Sequence, residues 1–135
     1  MKPRLTDREY EEAVQLRLAL RTFLRRSEEV ARAHKLTPQR YQLLLLIKTS
    51  EGKATVGRLC RSLQLGQSNV TQLVRRAEDL GLVRRELSPS DARVKHLRLT
   101  PEGERRLAAV VADLAEDRSK LIAALTDAGQ PEPPV

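Results

Sequence analysis

The sequence has few of the residues that build disulfide-rich, aromatic or membrane-spanning proteins. Cys60 is the only cysteine, so neither an intrachain disulfide nor a cysteine-rich zinc site can form. Tyr10, Phe23 and Tyr41 are the only aromatic residues, so the core must be built from leucine, valine and alanine. No apolar run, the one at residues 43–47 included, approaches the ~20 residues that a membrane-spanning helix needs. Since no signal-peptide pattern is present either, we expect a cytoplasmic protein without membrane contact.

The sequence also lacks the side-chain patterns of enzymes and metalloproteins. No Ser-His-Asp set, Gly-rich phosphate loop or paired-carboxylate site is recognisable. His34 and His96 are isolated, without ligand partners at metal spacing, so we expect neither a metal nor a cofactor. Cys60 lies on the apolar face of a predicted helix, which favours core packing over a redox role. We therefore expect no enzymatic activity.

Positive charge is plentiful and is concentrated in the middle of the chain. The formal net charge is +7 over 135 residues, a length typical of one domain. Residues 55–100 hold nine Lys or Arg against four Asp or Glu, whereas residues 101–135 hold four against seven. This distribution suits a polyanionic partner, although a solvated charged surface would have the same composition.

Capping signals predict two helices in the first third of the chain. Thr6 and the glutamate three residues later have the spacing of a capping box, so a first helix is predicted over residues 7–35. Thr37 precedes a proline at the first position of a second helix, where the missing N–H costs little. The second helix is apolar almost all round, which is typical of a central core element, and Gly52 is predicted to close it.

A similar Thr-Pro signal at Thr100 predicts one long helix over residues 101–126. Its apolar residues recur at alternating spacings of four and three, which indicates that the helix packs against a partner surface. Residues 127–135 are rich in proline and are predicted to form a disordered tail.

Two short helices in the middle of the chain are predicted to form a helix-turn-helix. Thr55 begins the first, and a turn of about three residues at Leu65-Gly66 separates it from the second. The second helix, residues 67–80, is predicted to bury five apolar residues that include Leu80. Its other face carries amides, hydroxyls and arginines, the groups that read base edges in the major groove. The residues predicted to contact DNA there are Gln67, Ser68, Asn69, Thr71, Gln72, Arg75 and Arg76.

A basic two-stranded hairpin is predicted directly after this helix. Residues 83–87 and 94–99 have the composition of strands, and the serines, proline and aspartate between them are typical of a tight turn. A basic two-stranded ribbon beside a DNA-binding helix has the right shape to contact the same duplex at a second place. Four of its basic residues are predicted to contact the DNA backbone rather than bases, or else to be only solvated: Arg84, Arg85, Lys95 and Arg98.

In this order of elements the chain resembles the MarR (multiple-antibiotic-resistance regulator) family of bacterial winged-helix repressors, over about residues 10–126. Leu36-Thr-Pro-Gln39 is similar to the start of that family's second helix. Ser68-Asn-Val-Thr71 followed by Leu80-Gly-Leu-Val83 is similar to its recognition helix and exit. The most specific match is Asp91-x-Arg93, then five residues, then Leu99-Thr100, which resembles the family's wing signature.

The resemblance implies a homodimer whose two recognition helices enter successive major grooves of double-stranded DNA. It also implies that Arg93 enters a flanking minor groove while Asp91 supports it by holding the guanidinium in place. Many members of the family respond to small phenolic or anionic ligands, or to oxidants, so a small-molecule effector is implied as well. The family usually carries a last amphipathic helix that interlocks with the partner's first helix. Here a proline-rich tail stands where that helix would begin, so we expect a weaker or shifted dimer packing.

We therefore predict a mainly α (α+β) fold, a winged helix-turn-helix with a two-stranded β-wing and flanking N- and C-terminal dimerisation helices. Residues 7–35 and 101–126 are the predicted dimerisation helices, and residues 36–100 are the predicted DNA-binding core. The predicted function is that of a sequence-specific transcriptional repressor. One rival is a winged-helix protein-docking module, which predicts an acidic or apolar recognition face. The other rival is a small enzyme or ligand carrier, which requires a polar pocket.

Overall fold

The computed structural model describes residues 4–128, and within that range it contains six α-helices and two strands. The predicted fold class is confirmed, because the chain is mainly helical with one two-stranded antiparallel sheet. No helix in the described range is both long and apolar enough to cross a membrane. The elements are α1 (Asp7–Ala33), α2 (Pro38–Lys48), α3 (Val56–Leu63), α4 (Gln67–Asp79), β1 (Val83–Leu87), β2 (Lys95–Leu99), α5 (Pro101–Asp113) and α6 (Ala115–Ala128).

Threonine caps begin four of these helices, as the sequence predicts. The side chains of Thr6, Thr37, Thr55 and Thr100 each accept a hydrogen bond from the backbone N–H three residues further on. Each cap satisfies one of the free N–H groups in the first turn of its helix. The predicted end of α2 is wrong, since the helix stops at Lys48. Gly52 belongs to the turn that follows, where a φ of +78° suits a residue without a Cβ.

Helix α2 is the centre of the core. Leu43, Leu44 and Ile47 are buried, and α2 contacts α1, α3, α4, α5 and β2. The sheet joins this core through β2, where Leu97 is buried and its N–H donates to the Ala54 carbonyl at 2.8 Å. Because the sheet, α3 and α4 all pack on the same central helix, the hairpin and the helix-turn-helix are held in a fixed relation to each other.

The predicted long helix over residues 101–126 is wrong as a single element, because α5 and α6 are separated at Leu114. Leu114 is buried, and beside the break Arg118 Nη1 donates to the Val111 carbonyl oxygen at 3.2 Å. The predicted tail also begins too early, since α6 includes residues 127 and 128. The remainder of that tail, residues 129–135, lies outside the described residues.

Candidate nucleic-acid interface

Helix α4 has the polar face that the sequence predicts. Val70, Val74 and Ala77 are buried, so the opposite side of the helix faces solvent. Leu80, predicted to be buried with them, is 36% exposed, because it lies beyond the last helical residue, at the C-cap. Thr71 is half-buried, and the other residues predicted to contact DNA from this helix are exposed: Gln67, Ser68, Asn69, Gln72, Arg75 and Arg76.

The start of α4 has no side-chain cap, unlike the threonine-capped helices. Its N-cap is Gly66, which has extended backbone angles and offers no side chain to the first-turn N–H groups. The preceding turn is short because Gln64, at the C-cap of α3, is in the left-handed region with a φ of 56°. Free N–H groups at a helix N-terminus can bind an anionic oxygen such as a DNA phosphate.

Two grooves run along the exposed side of α4, and Gln72 lines both. One groove, of about 490 Å³, is also lined by Ser68 and Arg75. The other, of about 470 Å³, is lined by Asn69 and Arg76 together with Gln39 from α2. Asn69 and Gln72 are therefore not equivalent, since only Gln72 reaches both sides.

Gln39 was not among the predicted site residues, although it lines the same groove as Asn69. It lies in the first turn of α2, directly after Pro38, and is exposed. Nothing in the local pattern around it distinguishes it from any polar residue of a helix start. Only the packing of α2 against α4 brings it to the candidate interface.

The hairpin, which we call the wing (residues 83–99), has two different faces. Val83 pairs with Leu99, and Arg85 with Leu97, so these side chains and their alternate neighbours share one face. That face packs on the core at its base, where Val83 and Leu97 are buried. The other face consists of Arg84, Glu86, His96 and Arg98 and is turned away from the core. The candidate residue Arg84 lies on this outer face, whereas Lys95 lies near the tip on the core-side face, where it is exposed.

The wing tip joins Asp91 to Arg93, as the family resemblance implies. Asp91 Oδ1 accepts hydrogen bonds from the Arg93 backbone N–H at 3.0 Å and from Arg93 Nε at 3.2 Å. These bonds, the backbone one first, lower the pKa of the Asp91 carboxyl below its usual value. The Arg93 side chain is nevertheless 91% exposed, so its guanidinium remains available to a ligand.

Two glutamates that sequence reasoning did not single out pair with arginines of the wing. Glu78, near the end of α4, accepts from Arg85 Nε at 3.0 Å and so ties the wing to the helix. Glu86 lies within 3.2 Å of both Arg84 and Arg98. Some of the positive charge that composition assigns to this region is therefore paired within the protein.

Of the residues considered for metal or redox roles, His96 lies on the outer face of the wing, and Cys60 and His34 lie elsewhere. Cys60 is half-buried and packs against the hydrophobic core, as its helical position predicts. His34 at the end of α1 forms a 2.7 Å hydrogen bond with Asp113 of α5. Across residues 4–128, no group of three or more His, Cys, Asp or Glu side chains could share a metal ion.

A cavity of about 740 Å³ lies between α1, α2, α5 and the start of α6. Its wall is largely apolar, with Leu45, Val111 and Leu114 among its residues, and it carries one charge of each sign, on Arg118 and Glu28. Tyr41 also lines it, and burial raises the pKa of the Tyr41 hydroxyl, an effect that the nearby Arg118 partly opposes. The polar residues at its rim include Gln39, which also lines a groove beside α4.

A helix-turn-helix that leads directly into a two-stranded wing defines the chain as a winged helix-turn-helix protein. Solved structures share this fold. AbsC, a MarR family transcriptional regulator of Streptomyces coelicolor, is 24% identical with a TM-score of 0.71, covering 92% of this chain and 84% of that one. The S. aureus MepR–DNA complex is 19% identical with a TM-score of 0.65, covering 89% of this chain and 85% of that one.

Sequence comparison gives the same family resemblance. The model of the MarR family matches residues 34–94, which include the whole helix-turn-helix and the first strand and turn of the wing. YsmB of Bacillus subtilis, an uncharacterised helix-turn-helix-type transcriptional regulator, is 34% identical over 76 residues, which is 56% of this chain. The match spans about half the length of that relative, 52%. The MarR family model thus matches the winged-helix core of this chain, and the resemblance seen in the sequence is confirmed.

Proposed function

We propose that this protein is a transcriptional repressor that binds a specific double-stranded DNA site in the cytoplasm as a homodimer and has no catalytic role. The observation that carries the proposal is the exposed side of α4, which begins at an uncapped N-terminus and presents Asn69, Gln72, Arg75 and Arg76 beside a basic wing. Amides pair bidentately with adenine, and arginines with guanine or phosphate. The docking-module rival predicts an acidic or apolar surface there, and the polar and basic α4 face does not favour it.

The geometry favours contacts in two grooves of one duplex. The exposed residues of α4 suit the major groove, which is wide enough to admit a helix. Arg93, held by Asp91 at the tip of the wing, suits the narrow and strongly negative minor groove of A·T-rich DNA. Arg84 and Lys95 lie along the wing between these two places and are assigned to phosphates.

The apolar surface of α1 supports the homodimer. Leu16, Leu20 and Leu24, which we call the leucine stripe, recur every four residues and are 41%, 39% and 59% exposed. In one chain, α6 lies along the side of α1 that carries Ala19 and Phe23, and it leaves the stripe uncovered. A long row of exposed leucines marks an interaction surface. A second copy of this chain can cover the leucine stripe, because a two-fold contact buries the stripes of both chains at once.

The 740 Å³ cavity supports release of DNA by a small-molecule effector. Its apolar wall suits a small aromatic ligand, because burial of the ring is available, and its lining carries one charge of each sign, on Arg118 and Glu28. Since α2 lines the cavity and also contacts α4, occupancy of the cavity can bias the position of α4.

Selection from a random duplex library tests the proposal. We expect the selected sequences to share an inverted repeat whose half-site centres lie ~10 base pairs, about one helical turn, apart. Affinity should fall by roughly 0.9 log units per tenfold rise in salt for each neutralised phosphate. A reporter gene placed behind the selected site should be repressed when the protein is expressed. Recovery of no inverted repeat would contradict the proposal of a dimeric, sequence-specific regulator.

A further inference from the structure

Two arginines face each other directly across the two strands of the wing. The strand register pairs Arg84 of β1 with Arg98 of β2. Like charges at directly opposed positions destabilise a strand pair, so this arrangement requires compensation. Glu86 supplies it, because its Oε2 lies 3.2 Å from Arg84 Nη1 and also 3.2 Å from Arg98 Nε. One carboxylate oxygen therefore serves one arginine from each strand. We call Arg84, Glu86 and Arg98 the wing triad.

Arg98 is held from a second direction by the turn after α2. A Cβ built on Gly52 would lie only 2.7 Å from Arg98 Nη2, so the guanidinium packs against bare backbone there. Gly52 also has a φ of +78°, a conformation that side chains other than glycine disfavour. The guanidinium thus contacts both the turn and Glu86.

The side chains of the wing triad are exposed, so a ligand that binds the wing can reach them. The side chains of Arg84, Glu86 and Arg98 are 55%, 45% and 46% exposed, and they lie on the face opposite buried Val83 and Leu97. The three charges sum to +1 (two arginines and one carboxylate), so Glu86 halves the positive charge that this face would otherwise present. A DNA phosphate approaching the face meets two arginines whose directions are already set.

We infer that Glu86 is a positioning residue for DNA binding, an inference that depends on the proposed function. It holds Arg84 and Arg98 as one directed phosphate contact and limits their attraction to DNA of any sequence. Electrostatic attraction to phosphates is the main source of non-specific affinity, so a carboxylate at this place raises the ratio of specific to non-specific binding. Glu86 touches the two arginines and acts on the DNA through them.

The test compares Glu86→Gln with Glu51→Gln on a 30-base-pair duplex of random sequence. Both variants remove one negative charge, but Glu51, an exposed residue of the turn next to Gly52, forms no ion pair with Arg84 or Arg98. With Glu86→Gln the two arginines can bind phosphates separately, so the slope of log K against log salt should steepen by about 0.9, one phosphate. Binding at low salt should tighten by about threefold or more. Glu51→Gln should change the slope by much less.

A second measurement separates positioning from simple loss of structure. On the duplex recovered by selection, Glu86→Gln should gain less affinity than on random DNA, so the specificity ratio falls. In an Arg98→Gln background the effect of Glu86→Gln on the slope should shrink, because only one arginine remains to be released. Thermal unfolding reports whether each variant is folded.

Equal slopes and equal specificity ratios for Glu86→Gln and Glu51→Gln would overturn the inference while leaving DNA binding intact. A shallower slope for Glu86→Gln would overturn it as well. If the parent protein bound neither random nor selected duplex at low salt, the proposed function itself would fail, and the role of Glu86 with it.

Discussion

Asp91 and Arg93 meet twice at the tip of the wing, through the backbone N–H of Arg93 at 3.0 Å and through its Nε at 3.2 Å. The two bonds use one carboxylate oxygen, so the loop conformation and the direction of the guanidinium are set together. The Arg93 side chain is still 91% exposed, so the Nη groups, which donate neither of these two bonds, remain available to DNA.

Replacement of Arg93 tests the wing. Arg93→Ala should weaken binding to the selected duplex and remove any preference for A·T-rich sequence outside the central repeat. Arg93→Lys should recover only part of the loss, because an ammonium keeps the charge but sheds water less readily. Asp91→Ala should give a milder loss, since the arginine remains but is no longer directed. Gel-shift titration with A·T-rich and G·C-rich flanks measures all three.

Arg32→Ala is the matched control for Arg93→Ala, because Arg32 is an exposed arginine in the last turn of α1. It should bind both duplexes as the parent protein does. Parent-like binding by Arg93→Ala at moderate salt would show that the wing tip does not enter a minor groove.

Replacement of the two amides of α4 tests base reading. Asn69→Ala or Gln72→Ala should cost ~1–3 kcal/mol on the selected duplex and leave affinity for random DNA nearly unchanged. Because Gln72 lines both of the protein grooves beside α4, we expect the loss of Gln72 to relax specificity at more base positions than the loss of Asn69. Binding of a panel of single-base variants of the site measures this. Equal losses of affinity on random and selected DNA would show that both residues contact the DNA backbone and not the bases.

The leucine stripe predicts the oligomeric state. The parent protein should be a dimer at micromolar concentration, and Leu20→Glu should be a folded monomer, because a carboxylate would be buried in the two-fold contact. Leu87→Glu places the same change on another exposed leucine, on the wing, and should remain a dimer. Sedimentation equilibrium decides, with circular dichroism to confirm folding. A dimeric Leu20→Glu would exclude the stripe from the interface.

Gly103 allows the first turn of α5 to approach the end of the α4–β1 connection. A Cβ on Gly103 would overlap the carbonyl oxygen of Leu82, which already accepts a hydrogen bond from the Thr100 N–H at 3.0 Å. Gly103→Ala should therefore lower the free energy of unfolding by about 1–3 kcal/mol. Gly57→Ala is the control, because the nearest atom to its added Cβ is 3.9 Å away. It should stabilise α3 by roughly 0.5–1 kcal/mol. Thermal denaturation that ranks the two variants in the opposite order would contradict this packing.

Glu102 predicts a pH dependence of stability. Hydrogen bonds from Arg105 and then Arg106 lower the pKa of the Glu102 carboxyl from 4.5 to about 2. A carboxyl with a depressed pKa in the folded state stabilises the protein above its unfolded pKa, and this contribution is lost as the pH falls from about 4.5 towards 2. Glu102→Gln should therefore unfold at a temperature that varies less with pH in this window.

The arginine partners provide the comparison for Glu102. In the Arg105→Gln, Arg106→Gln double variant the carboxyl is present but its two partners are absent, and the pH dependence should flatten in the same way. Thermal melts between pH 2 and pH 7 measure both variants. A Glu102→Gln protein with the parent's full pH dependence would show that other carboxyls account for it.

The sequence by itself determined the features that depend on neighbours in the chain. The threonine caps before α1, α2, α3 and α5 were predictable because capping involves residues three apart. The bounds of β1 matched the predicted strand, and β2 began one residue later than predicted. The polar face of α4 followed from helical periodicity alone. The strand and turn composition of residues 83–99, together with the motif at Asp91 and Arg93, predicted the wing.

Tertiary packing decided the rest, because those features depend on residues far apart in the chain. The apolar pattern of residues 101–126 is broken in the sequence only at Arg118, so it did not predict the helix break at Leu114. Burial of Leu114 and the Arg118 contact mark that break in the structure. Gln39 reaches the groove beside Asn69 because α2 packs on α4, and strand register brings Glu86 between two arginines. A local pattern specifies which face of an element is polar, but it does not specify which distant side chain lies opposite that face.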